Sequence, residues 1–202
     1  MSARDTISIV VPTRAIDSVP PLPPGADEAL LIGGNDGLSH AKNIGAQKAS
    51  GTILVFLDDD LMVEGSLDCL RQAPSDESWW TITYRDRTGD PYTQRMIAGV
   101  NVAARLGMHI ASIGPFLAVR RSLFDRVGGF GADDIHEDTT LARRLGASGA
   151  VLRVAPLTAT LLRPFTPFRQ CWERAVRWHG KAKRPDAPTR RLVPATPPAA
   201  GK

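Results

Sequence analysis

The stretch ILVFLDDDLMVEG, residues 53–65, decides how the chain reads. An apolar run, Ile53 to Leu57, stops at Asp58, Asp59 and Asp60, and a second apolar run resumes at Leu61. A short continuous run of this kind fits a strand buried on both faces. Three neighbouring carboxylates repel one another where water is excluded. In open parallel α/β sheets, however, ligands bind in the crevice at the carboxyl ends of the strands. A divalent cation there removes the repulsion, because Mg²⁺ and Mn²⁺ take one or two carboxylates together with phosphate oxygens. The triplet reads either as an acidic turn closing a strand or as the protein's share of a metal–diphosphate site. Alone it leaves both open.

Outward from this block, apolar runs alternate with helical patterns. ISIVV (7–11), closed by Pro12, is a predicted first strand, and a Pro-rich loop follows. ALLIGG is a second strand, and LSHAKNIGAQKAS is a helix with Leu38, Ala41, Gly45 and Ala49 on one face, stopped by Gly51. After the triplet, SWWTITYR is a strand and TQRMIAGVNVAARLGMHIA a helix interrupted at Gly99. GPFLAVRR is a strand, SLFDRVGGFG a short helix, HEDTTLARRLGASG a helix, and AVLRVAP the last strand. The order predicts an α/β fold: one Rossmann-like domain with a mainly parallel central sheet flanked by helices.

The 202 residues, 43% of them hydrophobic, suffice for one domain with a sizeable core. Cys69 and Cys171 have no partner spacing for zinc or a disulfide framework, which fits a reducing, cytoplasmic setting. No apolar run approaches the ~20 residues of a membrane span. Charge is unevenly spread. Residues 1–162 carry 15 Lys/Arg against 19 Asp/Glu, and residues 163–202 carry ten against two. A basic terminal element suits either a solvated tail or contact with something anionic. The organisation expected is a catalytic domain over 1–162, a basic amphipathic helix over 163–180 and a Pro/Ala-rich tail without structure over 181–202.

A second acidic pair, Glu137–Asp138, opens a predicted helix, with Asp133, Asp134 and His136 just before it. Acids in a first helical turn are ordinary capping chemistry. Facing a metal–diphosphate site, a carboxylate would instead serve as general base toward an acceptor hydroxyl. The blocks ISIVVPTR, AKNIGAQKASGTILVFLDDD, GPFLAVRRSLFDRVGGFGADDIHEDTTLARRLGASGA and RAVRWHG stand in an order that resembles inverting family-2 glycosyltransferases, the nucleotide-diphospho-sugar transferases of the GT-A fold.

The resemblance implies roles position by position. Pro12, Thr13 and Arg14 would line the nucleotide base, joined by Lys42, which stands where the family usually has arginine. Asp58 and Asp59 would lie by the ribose, and Asp60, together with Asp58, would hold Mn²⁺ or Mg²⁺. Asp138 would be the catalytic base, supported by Glu137, and Gly114 would border the acceptor pocket. The chain departs from the family at LLIGGNDG, which lacks the usual acidic pair that holds the base, although Asp36 is near.

In RPFTPFRQCWERAVRWHG, Phe168, Cys171, Trp172, Ala175, Trp178 and His179 share one helical side, and Gln170, Arg174, Arg177 and Lys181 line the other. This fits a core-packing helix, an interfacial helix on anionic lipid, or, by resemblance, an Arg-x-x-Arg-Trp motif. In that motif Arg174, Arg177 and Trp178 would meet diphosphate and acceptor. The expected partners are a nucleotide-diphosphate sugar and a saccharide or lipid-linked acceptor, with peripheral membrane contact and no nucleic acid. Two rivals share the fold: a nucleotidyltransferase, whose Gly-rich phosphate loop VVPTRAIDS lacks, and a non-catalytic nucleotide-sugar-binding module.

Overall fold

The computed structural model describes residues 4–14, 21–33, 37–72, 77–109, 115–131, 137–165 and 189–192. In chain order the strands are β1 (Ile7–Thr13), β2 (Glu28–Gly33), β3 (Ile53–Leu57), β4 (Leu61–Glu64), β5 (Ser78–Asp86), β6 (Phe116–Arg120), β7 (Val151–Leu161) and β8 (Thr189–Leu192). The helices are α1 (Leu38–Lys48), α2 (Pro91–Arg105), α3 (Arg121–Arg126) and α4 (Glu137–Ala147), with a 3-10 turn over Leu67–Gln72.

All eight strands join one sheet in the order β4-β7-β5-β6-β3-β1-β2-β8. β1 lies parallel between β2 and β3, and β5 is parallel to β7. The pairings β3–β6, β5–β6, β4–β7 and β2–β8 are antiparallel. The α/β class and flanking helices expected from the sequence hold, but the sheet is mixed rather than mainly parallel. Its parallel crossovers are confined to the β1–β2–β3 end and to β5–β7.

Period-two alternation distributes the apolar runs between two faces. Ile7, Ile9, Val11, Ile53, Val55, Leu57, Phe116 and Ala118 point into one core with Leu67, Leu70, Ile97 and Val100. Val10, Leu54, Phe56, Leu117 and Val119 point into the other, under Ala41 and Ala46 of α1 and Leu141, Ala142 and Leu145 of α4. Burial on both faces is why these strands read as unbroken apolar runs. α1 rides low on β1 because position 45 is glycine: a Cβ there would stand 2.2 Å from Val10 Cγ1.

Four local expectations are corrected. α2 continues through Gly99, because Asp90 Oδ2 caps it (Thr93 N–H, 2.7 Å), Pro91 starts it, and Ile97 and Val100 are buried on either side. Packing outweighs the roughly 1 kcal/mol that a mid-helix glycine costs. α1 ends at Lys48, before Gly51. β7 does not stop at Pro156 but runs to Leu161, with an irregular register between Thr81 and Thr83 of β5 that accommodates the proline. Within the tail expected to lack structure, Thr189–Leu192 forms β8 along the free edge of β2, and Leu192 packs against the core.

Candidate active site

The carboxyl ends of β1 and β3 bring Thr13 and the aspartate triplet together. Asp58 N–H donates to Pro115 O at 2.9 Å, which fixes the exit of β3 beside the start of β6. Thr13 Oγ1 donates to Asp59 Oδ2 at 2.7 Å, joining the end of β1 to the triplet. Pro12 is buried with Thr13, and Arg14 is exposed at the strand's end.

Lys42 enters from α1. Its side chain is 6% exposed, with Nζ 2.9 Å from Glu137 Oε1 and 3.7 Å from Asp58 Oδ1. The ammonium also stands 5.3 Å from the centre of the Phe130 ring, a cation–π distance. Phe130 is held there by the next residue of α1: Asn43 Nδ2 donates to Phe130 O at 2.9 Å, and Phe130 N–H donates to Asn43 Oδ1 at 3.0 Å. Gly129 precedes it at φ 63°, and a Cβ there would lie 2.9 Å from Asn43 Oδ1. The sequence blocks around Lys42 and around VGGF thus meet through two adjacent residues of one helix.

The triplet and the Glu137–Asp138 pair therefore open onto one place. Burial by itself would depress the Lys42 ammonium, but Glu137, Asp58 and Asp138 outweigh it and hold its pKa above the ordinary value. Asp58 experiences the reverse. Burial first, then the charges of Asp60, Glu137 and Asp138, outweigh the pull of Lys42, and its pKa is pushed up to about 7. Asp58 Oδ1 is buried with no hydrogen-bond partner among the described residues, although the side chain as a whole keeps 32% of its accessible area. Asp138 lies in the first turn of α4, where Oδ1 accepts from Thr139 N–H at 2.7 Å.

Asp59 and Asp60 face a different cation. Arg163, two residues past β7, places Nη2 2.7 Å from Asp59 Oδ1 and Nε 3.4 Å from Asp60 Oδ2. Burial raises the pKa of Asp60, Arg163 opposes this, and Asp59 adds to it.

No three acidic, histidine or cysteine side chains converge as a ready metal cage among the described residues. A dication bound together with phosphate oxygens needs only one or two carboxylates. The donor set fits one: an orphaned buried carboxylate oxygen on Asp58, and Asp60 beside it already drawing a cation. Of the residues singled out in the sequence, Pro12, Thr13, Arg14, Lys42, Asp58, Asp59, Asp60, Glu137 and Asp138 lie within the described residues. Gly114, Asp36, His136, Arg174, Arg177 and Trp178 lie outside them.

Two residues at the site escaped sequence reasoning. Arg163 drew notice only as one charge in a basic segment; its position depends on the β4–β7 pairing, which no local pattern announces. Tyr84 is buried behind the triplet. Its hydroxyl donates to Phe116 O at 3.1 Å and accepts from Phe116 N–H at 3.2 Å. Burial first, then Asp58 and Asp138, keep its pKa above the ordinary phenol value.

No helix among the described residues is long and apolar enough to cross a membrane. No curated protein matches the chain. Solved structures do. A mannosyltransferase from Pyrobaculum calidifontis, in complex with GDP-Man and Mn²⁺, superposes with a TM-score of 0.56 at 17% identity, over 91% of this chain and 67% of that one. Glucosyl-3-phosphoglycerate synthase from Mycobacterium tuberculosis, in complex with Mn²⁺, UDP and glucosyl-3-phosphoglycerate, gives 0.53 at 19% identity, over 87% and 77%. At these identities the likeness shows the fold alone. The chain spans 36% of the length of GalNAc-T7, a looser likeness with a TM-score of 0.47 at 16% identity over 74% of this chain. A family model, glycosyl transferase family 21, matches residues 92–194, which is 103 of the 202 residues. With just over half its length matched in this way, and with the fold of the solved glycosyltransferases it superposes on, the protein belongs to glycosyl transferase family 21.

Proposed function

We propose that the protein is a metal-dependent, inverting glycosyltransferase. It moves a sugar from a nucleotide-diphosphate donor to an acceptor hydroxyl or phosphate on a saccharide or a lipid. One observation carries this reading: Lys42 Nζ lies 3.7 Å from Asp58 and 2.9 Å from Glu137, so the triplet and the acidic pair line one cleft.

Each side chain then has a task. Pro12, Thr13 and Arg14 line the nucleotide base with Lys42 nearby, and Asp59, with Asp58 beside it, lies by the ribose. Asp60 and Asp58 hold the dication, which when bound supplies positive charge against the leaving diphosphate. Lys42 fixes Glu137 and with it the first turn of α4, so that Asp138 is presented to the acceptor. The acceptor O–H gives its proton to the Asp138 carboxylate as its oxygen attacks the anomeric carbon from the face opposite the diphosphate. The anomeric C–O bond breaks, its electron pair leaves with the β-phosphate oxygen, and the configuration inverts. Gly114, Arg174, Arg177 and Trp178 complete the acceptor and diphosphate side. A lipid-linked acceptor goes with a peripheral seat on an anionic membrane for the basic segment from residue 163; a saccharide acceptor does not need one.

The test is a panel of UDP- and GDP-sugars with Mn²⁺ or Mg²⁺, offered polyprenyl phosphate and simple saccharides, the product anomer being read by NMR. Asp138→Asn should keep metal-dependent donor binding and lose about 10²–10⁴-fold in transfer rate. Asp60→Ala should lose metal-dependent nucleotide binding. A retained anomeric configuration, or an Asp138→Asn variant with full activity, would remove this mechanism.

A further inference from the structure

Arg163 is held in place, although its guanidinium is in solvent. On its N-terminal side, Leu161 pairs with Leu61 at the start of β4, and Leu162 N–H donates to the carbonyl of Asp60 at 3.0 Å. On its C-terminal side, Phe165 N–H donates to Thr93 Oγ1 at 3.0 Å and its ring packs against the core. The backbone is thus pinned on both flanks of residue 163, directly against the triplet. From this anchor the side chain, 62% exposed, reaches both Asp59 and Asp60.

These contacts use a fraction of the five N–H donors of a guanidinium. They are also weak, because an ion pair this exposed is screened by water and salt. An arriving dication carries twice the charge and repels the guanidinium from Asp60. The anion that a nucleotide donor brings to this planar fork is a phosphate, a partner that Arg binds bidentately. Asp59 lies one residue away from the ligand pair and need not be released, so the side chain would swing over a short arc on a fixed backbone.

Resting on the reading of the cleft as a donor site, we infer that Arg163 stands in for the cation on Asp60 before a metal binds, and takes the β-phosphate of a nucleoside diphosphate once Mn²⁺ occupies that place. As the anomeric C–O bond breaks, the new negative charge falls on the β-phosphate oxygen, within reach of this guanidinium. Arg163 therefore competes with free metal and cooperates with metal–diphosphate.

Calorimetry on the full chain separates these roles. Arg163→Gln removes the charge at an exposed position, so the variant should melt with the wild type. It should bind Mn²⁺ alone at least threefold more tightly. It should bind UDP or GDP at saturating Mn²⁺ at least tenfold more weakly, and the matching nucleoside monophosphate within twofold of wild type. Arg163→Lys should recover part of the diphosphate affinity. An Arg163→Gln variant whose Mn²⁺ and diphosphate affinities equal those of the wild type overturns this inference and leaves the donor-site reading intact. Equal losses for mono- and diphosphate, or any other departure from the stated pattern, also overturn it. A wild-type protein that binds neither UDP nor GDP with Mn²⁺ overturns the donor-site reading and the inference with it.

Discussion

Two carboxylates with buried oxygens stand at opposite ends of the two strands that flank β1, and they behave in opposite ways. Glu28 begins β2, and Asp58 comes just after the end of β3. Glu28 accepts from Ser8 Oγ at 2.6 Å, from Ser50 Oγ at 2.9 Å and from the Ser50 N–H, with Arg191 of β8 3.3 Å away. Burial pushes its pKa up, but these donors outweigh burial and hold it below the ordinary carboxylate value. Among the described residues Asp58 has one cation at 3.7 Å and no hydrogen bond on Oδ1; burial, and then the charge of three other carboxylates, push it up to about 7. Burial is common to both; the supply of donors differs. The amino ends of the parallel strands carry a closed polar network that serves the fold. The carboxyl ends carry an unsatisfied one, which is where a fold gives up stability for a ligand.

Removing the cation should break the upper end most severely. Lys42→Met strands Glu137 in a buried place, takes the cation from Asp58 Oδ1 and removes the charge from beside the Phe130 ring. A loss of about 3–5 kcal/mol is expected, the usual cost of deleting one partner of a buried pair, read as a shift in the urea midpoint at constant m-value. Lys42→Arg should retain most of the stability. A Lys42→Met protein as stable as wild type would mean that the two acidic clusters do not depend on the lysine.

Glu28→Gln probes the lower end and should cost about 1–3 kcal/mol at pH 7, since hydrogen bonds to a charged acceptor are being weakened. The sign with pH is set by the depressed folded-state pKa. The charged network contributes fully above the unfolded value near 4.5 and is lost as pH falls through the lower folded value. The gap between wild type and Glu28→Gln should therefore be constant from pH 6 to 8 and close below pH 4.5. A gap that widens in acid would contradict the assignment. Asp58→Asn should behave oppositely at pH 8: it removes a carboxylate that folding disfavours, so the variant should equal or exceed the wild type by up to about 1 kcal/mol. It should also lose metal-dependent nucleotide binding. A clear loss of stability would show that Asp58 serves the fold as Glu28 does.

Much of this contrast was legible in the sequence at one end and little at the other. The triplet, the Glu137–Asp138 pair and Lys42 lie in or beside regular elements whose apolar periodicity fixes their placement. ILVFL reads as a covered strand, which puts the aspartates after it at a strand end. Glu28 was not singled out, because its partners Ser8 and Ser50 come from two other segments and a lone glutamate before an apolar run looks like solvent chemistry. Arg163 and β8 were missed for a related reason. Both depend on pairing with distant strands, β4 with β7 and β2 with β8, and edge pairing leaves no strong local pattern. Pro156 and Gly99 misled in the same way: each is a local breaker overridden by tertiary packing.

The smallest effect makes the sharpest test, because it sets the outer half of the cleft against the inner half. Asp59–Arg163 is a slightly shorter contact than Glu137–Lys42, 2.7 Å against 2.9 Å, yet its arginine is 62% exposed where Lys42 is 6% exposed. Distance alone ranks the outer pair as stronger; screening by water ranks it as weaker. A double-mutant cycle of Asp59→Asn with Arg163→Gln, in chelator and without nucleotide, should give a coupling below about 1 kcal/mol that fades further at high salt. The corresponding cycle of Glu137→Gln with Lys42→Met should give several times more and change little with salt. If the outer coupling matched the inner one, Arg163 would be a fixture of the fold, too firmly seated to be displaced from Asp60 by an incoming metal.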